Sequence, residues 1–173
     1  VIRVHLVFKR PRIGMNELNE RVFRVTNQAT GTFELEGEDT TNYGTFSSGT
    51  FEVVTFGTSL GTVRGVSASG GEPDFIDTTT IHDKIRTQIP GVQSALVFNM
   101  ENRWEPDDTG LAALKTASDT TAQRAMRFTF SGGAICTFFG YVSYSGSPTG
   151  NAQDLVTTPV SLTASNSVTN YSS

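Results

Sequence analysis

A hairpin signature near residue 130 constrains this chain more than any other feature. Phe128 and Phe130 alternate with polar residues, Ser131-Gly132-Gly133 has the chemistry of a turn, and an apolar run over residues 135–142 then returns. Alternation with a period of two is typical of half-buried strands, and a Gly-rich turn between two such runs predicts an antiparallel hairpin. Cys136 lies in the returning strand, where a thiol packs as a core residue. The sequence therefore predicts a mainly β fold.

The same alternation predicts strands elsewhere in the chain. It recurs over residues 22–25, 33–35, 51–54, 63–66, 92–104 and 155–163. Pro159 has no amide hydrogen, so its strand is expected at a sheet edge or at a bulge. An edge is a place where another chain can pair.

One segment reads as a helix. Pro106 and Asp107-Asp108 supply a start signal and capping carboxylates, and Leu111 and Leu114 lie one turn apart. These residues predict a helix over about 107–118 that rests one apolar stripe on a sheet. A weaker helix is predicted over residues 80–88, before Pro90-Gly91.

Charge and cysteine content limit the possible partners. Residues 1–25 contain six basic and two acidic side chains, which leaves seven basic and fifteen acidic ones, a net charge of −8, for residues 26–173. Most of the chain is therefore a poor partner for nucleic-acid phosphates. The single Cys136 excludes an internal disulfide and a zinc cluster, as expected in a reducing compartment. No apolar run approaches the roughly 20 residues of a membrane helix, so we expect no membrane span and no signal peptide.

The search for an active site is negative. His82 and Asp83 are sequence neighbours, which point in different directions on a helix or a strand. The carboxylates at positions 101, 105, 107 and 108 are interpreted as helix capping and a solvated face, and those between 34 and 39 as the wet face of a strand. The glycines of residues 65–71 lack the Lys-Ser or Lys-Thr of a phosphate loop. We therefore expect a protein that binds a partner, which can be a further copy of itself, and that has no catalytic residue, cofactor or metal.

From Gly61 to the end, the order of motifs resembles the major tail tube protein of long-tailed, siphovirus-type bacteriophages. The matching motifs are Gly61-Thr62-Val63-Arg64-Gly65-Val66, Asp77-Thr78-Thr79-Thr80, Ile89-Pro90-Gly91-Val92, Trp104-Glu105-Pro106-Asp107-Asp108, Arg127-Phe128-Thr129-Phe130, Phe139-Gly140-Tyr141-Val142-Ser143 and residues 155–162. The first third resembles a small β module that recurs inside phage structural proteins. Its motifs include Gly14-Met15, Glu17-Leu18-Asn19, Phe33-Glu34-Leu35 and Ser48-Gly49-Thr50. Residues 1–13 are interpreted as too short and too basic to supply the upstream strand of that module.

These resemblances imply a mainly β architecture, a tail-tube-like β-sandwich or half-barrel with one flanking α-helix plus a small N-terminal β module. The implied division is residues 1–54 for the module, whose completeness stays open, and 55–173 for the tube domain. The implied function is that of a virion protein whose hexameric rings stack into the hollow tail tube, through which DNA passes without specific binding. Expected partners are further copies of the chain and other tail proteins, namely the tape measure, terminator and baseplate. The expected location is the virion tail, assembled in the cytoplasm of the bacterial host.

The assembly contacts are expected in the long polar segment of residues 67–88. The candidate residues are Asp74, Phe75, Asp77, Thr79, His82, Lys84 and Arg86, together with Pro159 in the tail. Two alternatives stay open. One is a related terminator or baseplate ring protein that shares the fold. The other is a glycan-binding β-sandwich, suggested by Trp104 and the tyrosines.

Overall fold

The computed structural model describes the backbone of residues 5–172 and their side chains outside residues 10–13. Residues 1–4 of the predicted N-terminal module and Ser173 lie outside the described residues. The strands are β1 His5–Ile13, β2 Val22–Ala29, β3 Thr32–Leu35, β4 Ser48–Val54, β5 Val63–Ser69, β6 Pro73–Asp77, β7 Gln88–Gln93, β8 Val97–Arg103, β9 Arg124–Thr129, β10 Ile135–Ser143, β11 Thr157–Ala164 and β12 Thr169–Tyr171. One α-helix, α1, spans Thr109–Asp119, and a 3-10 helix spans Asn16–Leu18. The fold is mainly β, as predicted.

The first sheet is built from residues 5–54. Its four antiparallel strands have the order β3-β2-β1-β4. Phe8, Leu18 and Phe23 form a buried cluster within this part. β1 is a nine-residue strand immediately before Gly14-Met15. The prediction that residues 1–13 supply no upstream strand is therefore wrong, because pairing with β2 and β4 outweighs the basic composition of this segment.

The second sheet has β10 at its centre, and β5, β9 and β12 are its outer strands. β9 pairs with one side of β10, whereas β11 and β12 pair with different parts of the other side. β8 follows β11, and β5 follows β8. Within residues 5–172, β9 and β5 therefore have no strand on their outer sides. The hairpin of β9 and β10 is the one predicted around Ser131-Gly132-Gly133, closed by a hydrogen bond from the Phe130 amide to the Ala134 carbonyl of 2.9 Å.

Opposite faces of β10 pack against different elements. Phe138 is fully buried in a cluster with α1, β8 and β11, and Cys136 lies there as predicted. Phe139 points to the other face and packs with Val7 and Val22 of the first sheet. The second sheet is thus covered by α1 on one side and by the first sheet on part of the other.

Polar contacts also join the two sheets. The Arg24 amide donates to the Tyr171 hydroxyl at 2.8 Å, and the Arg24 guanidinium lies 4.0 Å from the centre of that ring. The Thr137 hydroxyl donates to the Val22 carbonyl at 3.2 Å. The Asn166 side-chain amide donates to the backbone carbonyl of Asn19. Burial of the Tyr171 phenol raises its pKa. These contacts fix the first sheet on the second. The division into domains at residue 54 stays a prediction.

The predicted helix is confirmed. Asp108 is its N-cap, and the carboxylate accepts a hydrogen bond from the Leu111 amide at 2.7 Å. Leu111 is buried, and Leu114 packs against the same core. Apolar spacing and the capping carboxylate therefore located this element correctly.

Four other expectations are wrong. Residues 80–88 form a turn rather than a helix, and the strand predicted over 92–104 is broken between β7 and β8. β11, which contains Pro159, is an internal strand without a bulge, although Pro159 lies beyond the part of β11 that pairs with β10. A missing amide is tolerated there because β8 is the only described strand paired with Pro159 itself, while the bridge to Thr149 lies two residues away, at Thr157.

The fourth concerns the acidic residues of the first third. Glu36 forms an ion pair with the buried Arg24. Glu38 binds Arg21 at 2.5 Å and accepts a hydrogen bond from the Tyr43 hydroxyl. The wet-face prediction is therefore wrong for Glu36 and Glu38, which form ion pairs that stabilise the first sheet, whereas Glu34 and Asp39 are exposed as predicted.

Candidate assembly surface

Residues 70–95 form a hairpin that stands apart from both sheets, and we call it the projecting hairpin. Its strands β6 and β7 pair only with each other. The pairs run from Pro73 opposite Gln93 to Asp77 opposite Gln88. At about 3.3 Å per residue, its tip lies about 20 Å from its base.

Glycine and backbone hydrogen bonds close the base of this hairpin. Gly70 has φ +80°, and a Cβ at this position would lie 2.2 Å from the carbonyl oxygen of Ala95. Only glycine fits such a close approach with positive φ. The Gly71 amide donates to the Ser94 carbonyl at 3.2 Å, and the Ser94 amide donates to the Glu72 carbonyl at 3.0 Å. The chain therefore leaves and re-enters the second sheet at one point.

Two aspartates organise the tip. The Asp77 carboxylate accepts from the Thr79 amide at 2.8 Å, and the Asp83 carboxylate accepts from the Thr80 amide and hydroxyl at 2.8 Å each. The Thr79 hydroxyl lowers the pKa of Asp77, and the Thr80 amide lowers the pKa of Asp83, because these donors stabilise the ionised carboxylates. The tip is consequently an ordered turn held by local hydrogen bonds.

The projecting hairpin exposes large apolar side chains. Ile81 is 96% exposed and Val92 84%. The others are Phe75, Ile76, Ile85 and Ile89, each more than half exposed. A fully buried side chain of this size contributes about 1.5–3 kcal/mol. Exposed apolar side chains in such number are typical of surfaces that bind another protein.

The structure brings together seven of the eight predicted contact residues. Asp74, Phe75, Asp77, Thr79, His82, Lys84 and Arg86 all lie on the projecting hairpin, and all are exposed. Pro159 is exposed but lies apart, on β11. Whether these residues make assembly contacts stays a prediction.

Sequence reasoning missed the isoleucines of the tip. Ile81 and Ile85 are four residues apart, which imitates the apolar stripe of a helix. The β-branched run at Thr78-Thr79-Thr80 and the capping Asp83 favour a turn instead. These residues and Pro90 were the available signal for a hairpin.

The arrangement offers no chemistry. His82 is exposed at the tip, whereas the neighbouring Asp83 is turned to Thr80. Among residues 5–172, no three His, Cys, Asp or Glu side chains come together as metal ligands. Burial raises the pKa of the Cys136 thiol, which makes it a poor nucleophile. No helix in the described part of the chain has the length and apolar character needed to cross a membrane.

A mainly β fold with an ordered apolar projection is that of a structural protein that associates with other proteins. The chain belongs to the phage tail tube protein family (TTP), whose family model matches residues 13–173. It is therefore a structural component of a virion tail and not an enzyme. The match includes most of the first third.

Comparisons with individual proteins give more distant likenesses. No curated protein sequence matches the chain. One similar solved structure is a chain in the tail of an empty gene transfer agent particle, computed with helical refinement and C6 symmetry. It is 13% identical, with a TM-score of 0.48, and the match covers 72% of this chain and 89% of that one. Another is a chain in the virion of a native gene transfer agent particle, 11% identical, with a TM-score of 0.49 and coverages of 70% and 89%.

Proposed function

We propose that this protein assembles into hexameric rings that stack into the hollow tail tube, through which DNA passes to the host. The projecting hairpin carries the proposal, because a monomer gains nothing from six exposed apolar side chains held on an ordered arm. Membership of the tail tube family supports it, and the number six is what the family resemblance implies. Assembly takes place in the bacterial cytoplasm, and the tape measure, terminator and baseplate proteins contact the finished tube.

Two kinds of contact are needed for rings that stack. The projecting hairpin provides the contact between rings, since it reaches about 20 Å beyond the sheet that carries it. Within residues 5–172, the outer strands of the first sheet, β3 and β4, have no partner on their outer sides, and they provide contacts within a ring because their backbone groups can pair with a neighbouring strand. Contacts between unlike surfaces of identical subunits generate rings and open stacks.

The first third packs beside the tube wall. Residues 5–54 form a four-stranded sheet with a core of its own, and this sheet is fixed on the second by Arg24 and Phe139. We propose that it lies on the outside of the tube and supports neighbouring subunits. Density for its side chains in the central channel of an assembled tube would contradict this placement.

The glycan-binding alternative lacks an aromatic platform. Tyr144 is buried, Trp104 is only partly exposed, and Tyr141 alone among these three is largely exposed. A terminator or baseplate ring protein shares the fold but stops stacking. Electron microscopy of the purified protein separates these functions, since only a tube protein forms long stacks.

The projecting hairpin can be removed without opening the fold. Because Gly71 and Ser94 are hydrogen-bonded neighbours, residues 72–93 can be replaced by a two-residue Asn-Gly turn. We expect this variant to keep the circular dichroism and unfolding midpoint of the parent domain but to form no tubes in negative-stain images.

A point substitution with a matched control refines the test. Ile81→Ser removes a 96% exposed apolar side chain from the tip, and Leu155→Ser removes a 50% exposed one from a different loop. We expect Ile81→Ser to raise the protein concentration needed for tube formation and Leu155→Ser to leave it nearly unchanged. Normal tubes from the variant without residues 72–93 would place the contact between rings elsewhere.

A further inference from the structure

An open groove lies between β5 and β9, two outer strands of the second sheet, and we call it the seam groove. β5 forms one side, β9 the other, and α1 closes one end. The groove has a volume of about 690 Å³. Its apolar lining includes Leu60, Val63, Val66, Leu114, Phe128 and Phe130. Val66 and Phe130 are 40% and 52% exposed, so the edges of the groove are apolar and accessible.

The charged side chains of the seam groove are all basic. Arg124 and Arg127 line it, and no carboxylate does. Arg127 lies over the ring of Phe56 at 4.6 Å, and Arg124 forms no ion pair with another described residue. The groove thus combines an apolar lining with positive charge at β9.

The projecting hairpin has a negative net charge, whereas the seam groove is positively charged. Both surfaces expose apolar side chains. Residues 72–93 contain four carboxylates and two cations, a net charge of −2. They include the three most exposed large apolar side chains in the described part of the chain, Ile81 at 96%, Val92 at 84% and Ile85 at 79%. Opposite charges around apolar surfaces steer and orient association.

The hairpin does not fill the groove of its own chain. No residue between 67 and 99 lines the seam groove, and the hairpin strands pair only with each other. A hairpin that fills the groove would therefore come from another molecule.

We propose that the seam groove receives the projecting hairpin of a second copy of this chain. The inference rests on the proposed function and adds to it the surface that receives the arm. Each subunit then offers one hairpin and one groove at different places, so every bound subunit leaves a free groove and a free hairpin for the next. Such a heterologous contact continues without limit, as a stacked tube requires.

Cysteine cross-linking tests this contact in the assembled protein. Ile85→Cys on the hairpin is combined with Val66→Cys in the groove, and tubes of the double variant are oxidised and run on a denaturing gel without reductant. We expect a ladder of covalent multimers, since each chain carries both partners. Cys136 is buried and the pKa of its thiol is raised, so it should form no cross-link. The variants that carry only Ile85→Cys or only Val66→Cys verify this.

The matched control pairs Ile85→Cys with Ser143→Cys. Ser143 is exposed on β10, outside the groove lining, so no ladder is expected there. Tubes that give no Ile85–Val66 ladder, or an equal ladder with Ser143→Cys, would overturn the groove assignment and leave the proposed function intact. Failure of the unmodified chain to form any tube would instead contradict the proposed function and the inference together.

A charge substitution keeps the test decisive if the cysteine variants assemble poorly. Arg124→Glu reverses an exposed charge of the groove without removing an ion pair, and it should raise the concentration needed for tube formation several-fold. Asp74→Arg on the hairpin should recover part of this loss in the double variant. An unchanged assembly threshold for Arg124→Glu at low salt would contradict a hairpin seated beside β9.

Discussion

Phe139 joins the two sheets, so its truncation measures how strongly they are coupled. The side chain is 4% exposed and packs with Val7 and Val22 of the first sheet and Ala125 of β9. Replacing a buried Phe by Ala removes its transfer free energy and leaves a cavity, at a cost of about 3–5 kcal/mol. For a chain of 173 residues, each kcal/mol corresponds to about 2–4 °C. We expect Phe139→Ala to lower Tm by roughly 6–20 °C.

The measurement is thermal unfolding of the dilute protein, followed by two signals. Fluorescence of Trp104 reports on the second part of the chain, whereas far-ultraviolet circular dichroism reports on both sheets. Because the cluster around Phe139 spans the two sheets, both signals should give one shared midpoint in the parent protein. The Phe139→Ala variant should have a lower midpoint, and its two signals are expected to separate if the sheets become uncoupled.

Phe130→Ala is the matched control. It removes the same side chain from a site that is 52% exposed, so the cost should be about 1 kcal/mol. A loss for Phe139→Ala no larger than that of the control would refute the packing of the first sheet on β10. Separate midpoints in the parent protein would show that residues 5–54 unfold as an independent domain.

Three further predictions concern the second sheet, the tip of the hairpin and DNA. A Cβ on Gly140 would lie 2.1 Å from the Thr163 carbonyl oxygen, so Gly140→Ala should cost about 1–3 kcal/mol in urea unfolding as β10 and β11 move apart; a neutral effect would contradict their close approach. The pKa values of Asp77 and Asp83 are lowered from 3.8, so the tip keeps its full stability above pH 3.8 and loses it as the pH falls through the lowered pKa values. An NMR titration of the tip amides can follow this loss, and titration midpoints above 3.8 would contradict the described hydrogen bonds. With a net charge of −4, the unassembled protein should show no affinity for duplex DNA at physiological salt in an anisotropy titration, and micromolar, salt-sensitive binding would reveal a phosphate-contacting surface.

Local patterns determined the elements whose residues interact with near neighbours. The turn at Ser131-Gly132-Gly133 joins two strands that pair directly, and Asp108 caps its helix by accepting a hydrogen bond from an amide three residues further along the chain. Period-two alternation likewise predicted most strands of both sheets, and the order of motifs predicted the tail tube family. These features depend on a few neighbouring side chains, which the sequence displays without knowledge of the fold.

The sequence located the segment that carries the proposed assembly contacts but did not predict its secondary structure. Residues 67–88 were recognised as a candidate surface because they are polar, charged and rich in glycine. Their hairpin form depends on Gly70, on the Asp77 and Asp83 turns and on β7, and the spacing of Ile81 and Ile85 pointed to a helix instead. Apolar spacing cannot distinguish a stripe that packs on a core from side chains held out in solvent.

The positions of strands within a sheet were decided by tertiary structure alone. Pro159 predicted an edge, yet β11 lies between β8 and β10, and the proline is tolerated where β10 has already ended. Arg24 and Glu36 look like surface charges in the sequence but form an ion pair at the junction of the sheets, where the Arg24 guanidinium lies over the ring of Tyr171. Such outcomes depend on partners that are distant in sequence, 147 residues apart for Arg24 and Tyr171, because the neighbours that bury or pair a residue are set when the chain folds, and no local pattern records them.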